Sequence, residues 1–128
     1  MKSIFIVIAA LLVSISPVQA QLVGEQVTTL LKEIDNHCGD TWCEGEFDFD
    51  FKYYEQTDKE LIISFHVLVW ANDLESFTGY PRECRFEGRY QFNDLLEKNE
   101  YFANRYRLTL PFSEKMNECI RKIELEFY

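Results

Sequence analysis

The chain is short of basic side chains, of histidine and of long apolar runs. Lys and Arg number 13 against 22 Asp and Glu, giving a net charge of −9 over 128 residues. A nucleic-acid binder needs clustered cations to displace the counterions of the phosphates, so nucleic acid is excluded as a partner. Only two His occur, and no GxSxG, HExxH or Gly-rich phosphate loop is present. Catalysis needs a placed nucleophile, base or metal, and cofactor binding needs a motif of its own. Neither an enzyme nor a cofactor is expected on these grounds. The length is that of one domain and excludes architectures such as the (β/α)8 barrel, which needs about 250 residues. No internal repeat or low-complexity linker is found. What the chain does hold is 47% hydrophobic residues and 16% aromatics, enough for a packed core and too much for disorder.

One apolar run stands out, from Ile4 to Ile15, after the positively charged start Met1-Lys2-Ser3. Ser16-Pro17-Val18-Gln19-Ala20 breaks it and ends in small residues. This is the order of a secretory signal peptide, with Val18 and Ala20 at the −3 and −1 positions of a cleavage site. The run is about a dozen residues, shorter than the roughly 20 of a membrane span. Residues 1–20 therefore read as a signal peptide and 21–128 as a single domain with net charge −10 once Lys2 is gone. The expected location is secreted or periplasmic, with no membrane attachment after cleavage.

Cys38, Cys43, Cys84 and Cys119 all lie in the remaining domain. An even count in an exported protein reads as two disulfides. A metal site at Cys38, Cys43 and His37 would use the right ligand types, but the x4 spacing is not that of a zinc knuckle. Calcium at Asp35, Asp40, Glu44 and Glu46 does not meet the EF-hand spacing. Cys38–Cys43 with Cys84–Cys119 would pin the entry to the first strand and staple the last helix to the sheet. Cys38–Cys119 with Cys43–Cys84 is the alternative.

Periodicity predicts the elements. Val23, Val27, Leu30, Leu31, Ile34 and Cys38 form one helical stripe over 22–37, with Gly39 as C-cap and His37 capping the end. Phe47, Phe49, Phe51 and Tyr53 alternate with Glu46, Asp48, Asp50 and Lys52, a half-buried strand. A second strand places Leu61, Ile63, Phe65, Val67 and Val69 on one face and Ile62, Ser64, His66, Leu68 and Trp70 on the other. Residues 71–81 read as a loop packed down by Leu74, Phe77 and Tyr80. A third strand turns Cys84, Phe86, Gly88, Tyr90 and Phe92 inward, and a fourth covers 101–110 after a polar connection. Pro111 ends it, and Ser113 N-caps a helix carrying Met116, Cys119, Ile120, Ile123 and Phe127. Ile123 to Phe127 equally fits a short strand.

The order α-β-β-β-β-α predicts an α+β two-layer sandwich, a four-stranded antiparallel sheet with the N- and C-terminal helices on one face. It partly resembles the architecture of cystatin-like folds, without a QxVxG inhibitory loop. With strand order 1-2-3-4, the opposite face would carry an apolar strip of Ile62, Leu68 and Trp70, with His66. An acidic edge, Asp48 and Asp50, would flank it on one side, and Arg85, Arg89, Arg105 and Arg107 on the other. That is the composition of an interface, unless Phe77 and Tyr80 fold back over the strip or it is a homodimer contact. Cross-strand ion pairs of Asp48 and Asp50 with Arg85 and Arg89 are a further expectation. Trp42, in the 39–46 loop, joins the candidate interaction residues.

The function expected from this surface is recognition of a basic protein by an exported binding domain, such as a periplasmic inhibitor or immunity protein. The second reading is an apolar-ligand binder with a pocket at Phe47, Phe49, Phe51, Phe65, Phe86 and Tyr90. The third is a small hydrolase using His66 or the row Glu44, Glu46, Asp48 and Asp50.

Overall fold

The computed structural model describes residues 22–43, 47–70 and 77–127, without the side chains of Trp70 and Phe77. The signal-peptide segment, Glu44, Glu46 and Leu74 lie outside the described residues. Helix α1 (Gly24–Asp40) opens where the Gln26 carboxamide accepts a hydrogen bond from the Val23 N–H at 3.0 Å. It runs through Gly39 and closes at Thr41, past the expected cap, with the Thr41 N–H bonded to the Cys38 carbonyl.

Strands β1 (Phe47–Gln56), β2 (Glu60–Trp70) and β3 (Phe77–Glu87) form an antiparallel sheet in the order β1-β2-β3. The fourth strand is not part of it. Instead β4 (Leu96–Lys98) pairs with β5 (Tyr106–Leu108) in a separate two-stranded ribbon, preceded by the single turn α2 (Phe92–Leu95). Gly88 explains the difference. Its φ of 115° turns the chain out of the sheet just after β3, and its N–H bonds the Lys59 carbonyl at 2.8 Å. A residue with a Cβ would be strained there, and the expected continuation to Phe92 is cut off.

Two other departures have local causes. A bulge between Phe51 and Tyr53 breaks the alternation of β1. Tyr53 is thereby put out to solvent at 54% exposure, and Tyr54 packs on the core instead. Phe77 to Pro81 belong to β3, paired with Trp70 to His66, and are not loop. The last helix, α3 (Leu110–Leu125), starts earlier than expected because Pro111 lies in its first turn, where a missing N–H costs nothing. Ser113 is inside the helix, and its hydroxyl donates to the Leu110 carbonyl. Ile123 to Leu125 remain helical.

Both helices bury their stripes in one cluster. Leu30, Ile34 and Cys38 of α1 and Phe112, Met116, Ile120 and Ile123 of α3 join Phe49, Leu61, Ile63, Phe65, Val67, Cys84 and Phe86 of the sheet. Phe49 meets Phe65 edge-on at 5.9 Å and Phe86 meets Phe112 at 5.6 Å. Each such ring contributes about 1.5–3 kcal/mol by leaving water. The architecture is α+β, with a three-stranded sheet in place of the four expected. The disulfides are Cys38–Cys43 and Cys84–Cys119, the latter joining β3 to α3.

Candidate functional site

The strand register builds the helix-free face of the sheet row by row. Asp48, Leu68 and Gly79 form one row across β1, β2 and β3. Asp50, His66 and Pro81 form the next. Trp70 and Phe77 are register partners at the end of the β2–β3 pair. Leu68 and His66 are half-buried and Asp48 is exposed. Gly79 sets the relief: a Cβ built there would touch Leu68 Cδ2 at 3.4 Å and His66 Cβ at 3.8 Å. In these two rows β3 contributes only a glycine and a proline, and a Cβ at position 79 would rest on Leu68 in ordinary contact.

The carboxylates of the strip are held differently. Asp48 Oδ1 accepts the Phe49 N–H at 2.8 Å, and Asp50 pairs with Lys52 at 2.5 Å on its own strand. A hollow of about 490 Å³ adjoins the row of His66, its lining including Ser64, His66, Pro81, Arg82, Glu83 and Glu126.

Further down the face Ile62 is only 6% exposed, between Glu55 and Arg85 in the register. Arg85 binds Glu83 and Glu60, and these contacts push its already high pKa further up, the hydrogen bond to Glu83 foremost. The expected pairing of Arg85 and Arg89 with Asp48 and Asp50 does not form, because β2 separates them and each Arg has a nearer acid. Arg89 lies beyond the end of β3 and faces Asp58 at 3.5 Å. Arg107 sits between Glu97 and Glu100, and Arg105 reaches the buried Glu33 at 3.6 Å. The basic edge is therefore a set of neutralised pairs.

Two candidate residues lie away from this face. Tyr80 pairs with the inward Val67, and its ring packs against Phe127 at 5.3 Å on the helix side. It does not fold back over the strip. Arg82 closes the same corner, hydrogen-bonding Glu126 at 2.9 Å and lying over the Phe127 ring. Trp42 is 8% exposed and belongs to the core. Its indole N–H donates to Asn117 Oδ1 at 2.6 Å, tying the segment after α1 to α3. His37 meets the Trp42 ring edge-on at 4.8 Å, and its Nε2 is buried without a hydrogen-bond partner.

Sequence reasoning missed the tip of the β4–β5 ribbon, where Tyr101 is 83% exposed. The alternating pattern there hid a turn. It also missed that Asp48 approaches the Cys38–Cys43 bridge, its carboxylate and the two sulfurs lying within 4.8 Å of one another. Sulfurs bonded to each other offer no thiolate to a metal, so this cluster does not match a zinc donor set. A scan against protein-family models, a search of curated proteins and a search of solved structures each found no match for the chain.

Proposed function

We propose that the protein is an exported binding domain that recognises a basic partner protein through the helix-free face of its sheet. The observation that carries the reading is the pair of rows Asp48–Leu68–Gly79 and Asp50–His66–Pro81. They set carboxylates beside the half-buried Leu68 and His66, in two rows where β3 contributes only Gly79 and Pro81. An ordinary solvated antiparallel face is polar along its length. An apolar centre beside charge suits a protein interface, and an acidic chain draws a cationic partner. Two disulfides support an extracellular setting, where such bonds persist. No helix among the described residues is long and apolar enough to cross a membrane. A periplasmic inhibitor or immunity protein, acting on a basic hydrolase or toxin, has this size and charge.

The test compares immobilised wild-type protein with the Asp48→Lys/Asp50→Lys and Gly79→Trp variants, each exposed to exported proteins at low salt. Wild type should retain a basic protein that both variants lose. Retention of the same proteins by all three, or of no basic protein by wild type, overturns the reading.

A further inference from the structure

The Cys38–Cys43 bridge has a chemistry of its own, beside Asp48, a carboxylate that also stands in the proposed docking rows. Cys38 is fully buried, Cys43 partly buried and Asp48 exposed, with their sulfur and carboxylate atoms within 4.8 Å of one another. A disulfide reacts with an external thiolate, which attacks one sulfur and expels the other. Access directs the attack to Cys43. A new bond forms between the incoming sulfur and Cys43 Sγ, the Cys38–Cys43 bond breaks, and Cys38 leaves as a thiolate. A second thiol then attacks the external sulfur of the mixed disulfide and releases Cys43. The bridge is reduced, and two small thiols become one disulfide.

Charge works against both ends of this step. The attacking thiolate is an anion approaching the Asp48 carboxylate. The departing Cys38 thiolate develops in the last turn of α1, where the helix carbonyls concentrate partial negative charge. The second bridge has more cations beside it, two of them paired with acids. Its partly buried Cys119 shares a groove with Arg85, Lys115 and Lys122, although Glu83 and Glu118 are there too.

We propose that Cys38–Cys43 is a thiol-exchange site gated by Asp48, which favours cationic thiols and repels anionic ones. The reactant class is small thiols and dithiols, sorted by the charge they bring to within a few ångströms of that carboxylate.

The test measures reduction of each bridge by cysteamine, whose thiolate form has no net charge, and by glutathione, whose thiolate form is doubly negative. Rates are normalised to the thiolate fraction, and bridges are distinguished by alkylation and peptide mapping. The cysteamine-to-glutathione rate ratio should be larger at Cys38–Cys43 than at Cys84–Cys119. Asp48→Asn, which keeps an oxygen for the Phe49 N–H, should lower that ratio about three- to tenfold at Cys38–Cys43 alone. Asp50→Asn, whose native carboxylate is paired with Lys52, should leave it unchanged. In wild type the ratio should collapse in about 1 M salt, where screening acts over roughly 3 Å. A ratio indifferent to Asp48→Asn or to salt, or lowered equally by Asp50→Asn, overturns the proposal.

Discussion

Removing the two disulfides one at a time should separate loop closure from packing. Cys84–Cys119 spans a sequence separation of 35 and Cys38–Cys43 one of 5. The loop-entropy relation assigns them about 3.8 and about 2.1 kcal/mol respectively. Packing losses largely cancel between the pairs. Each contains one sulfur at 0% exposure, on Cys38 or Cys84, and one partly buried partner. The difference of about 1.7 kcal/mol therefore belongs to loop length. The assay is urea unfolding of the Cys38→Ala/Cys43→Ala and Cys84→Ala/Cys119→Ala proteins, checked by melting. The long-loop variant should be the weaker by about that amount, or by roughly 7 °C in Tm for a domain of this size. Equal losses, or a larger loss for the short loop, would refute the loop-entropy assignment and place the bridges' value in native packing.

Asn117→Ala should cost about 1–3 kcal/mol in urea unfolding, because it strands the indole N–H of the buried Trp42. Tyr54 has a buried hydroxyl with no hydrogen-bond partner, and burial pushes its pKa above the ordinary 10.0. A folded pKa raised in this way gives stability that is full below pH 10.0 and falls as pH rises through the folded value. Tyr54→Phe should flatten that alkaline fall in a series of melting curves, without loss of stability at neutral pH. Burial likewise holds the Glu124 carboxyl above its ordinary 4.5, against the opposing pull of Arg121. Its contribution is present below pH 4.5 and lost as pH rises through the folded value, so Glu124→Gln should raise Tm at pH 7 and leave it unchanged at pH 3.

The fold was legible where a pattern had one physical cause. Leu30, Ile34 and Cys38 of α1, Met116, Ile120 and Ile123 of α3 and Leu61, Ile63, Phe65 and Val67 of β2 are buried as their spacing predicts, while Val23, ahead of the first helix, is exposed. The α+β class and the order of the first three strands follow from them. The preferred disulfide pairing also followed, since Cys84 and Cys119 both fall on inward positions. Legibility failed where backbone geometry overrode pattern. Gly88 has an ordinary place in the alternation of β3, and only its positive φ ends the strand there. The bulge at Phe51/Tyr53 moves Tyr53 to the outside without any change in residue type. Pro111 stops a strand and starts a helix equally well, and the choice depended on the early end of β5. For the candidate site, Asp48, Asp50, His66 and Leu68 sit on the strands that the alternation assigned them, while the rows they share came only with the register. Tyr80 did not, because a segment read as loop has no parity, while its pairing with Val67 gives it one.

The ion pairs change what the acidic charge means. Arg82, Arg85, Arg89, Arg105, Arg107, Lys52 and Lys122 each face a carboxylate at 4 Å or less. Pairs as exposed as most of these add little stability, but they cancel most of the positive charge locally. The field that reaches a distant partner then comes from acids without such a cation, and among the described residues Asp48 is one of them. Such a field acts across about 8–10 Å at ordinary salt and mainly accelerates encounter, whereas desolvated apolar contact sets the lifetime of a complex. On the docking reading the two parts of the sheet face therefore have separable work. Asp48 and other acids without a facing cation would govern the association rate and its salt dependence. Leu68, left open by Gly79, would govern dissociation, so a complex held mainly by charge pairs would contradict this division even if its partner were basic.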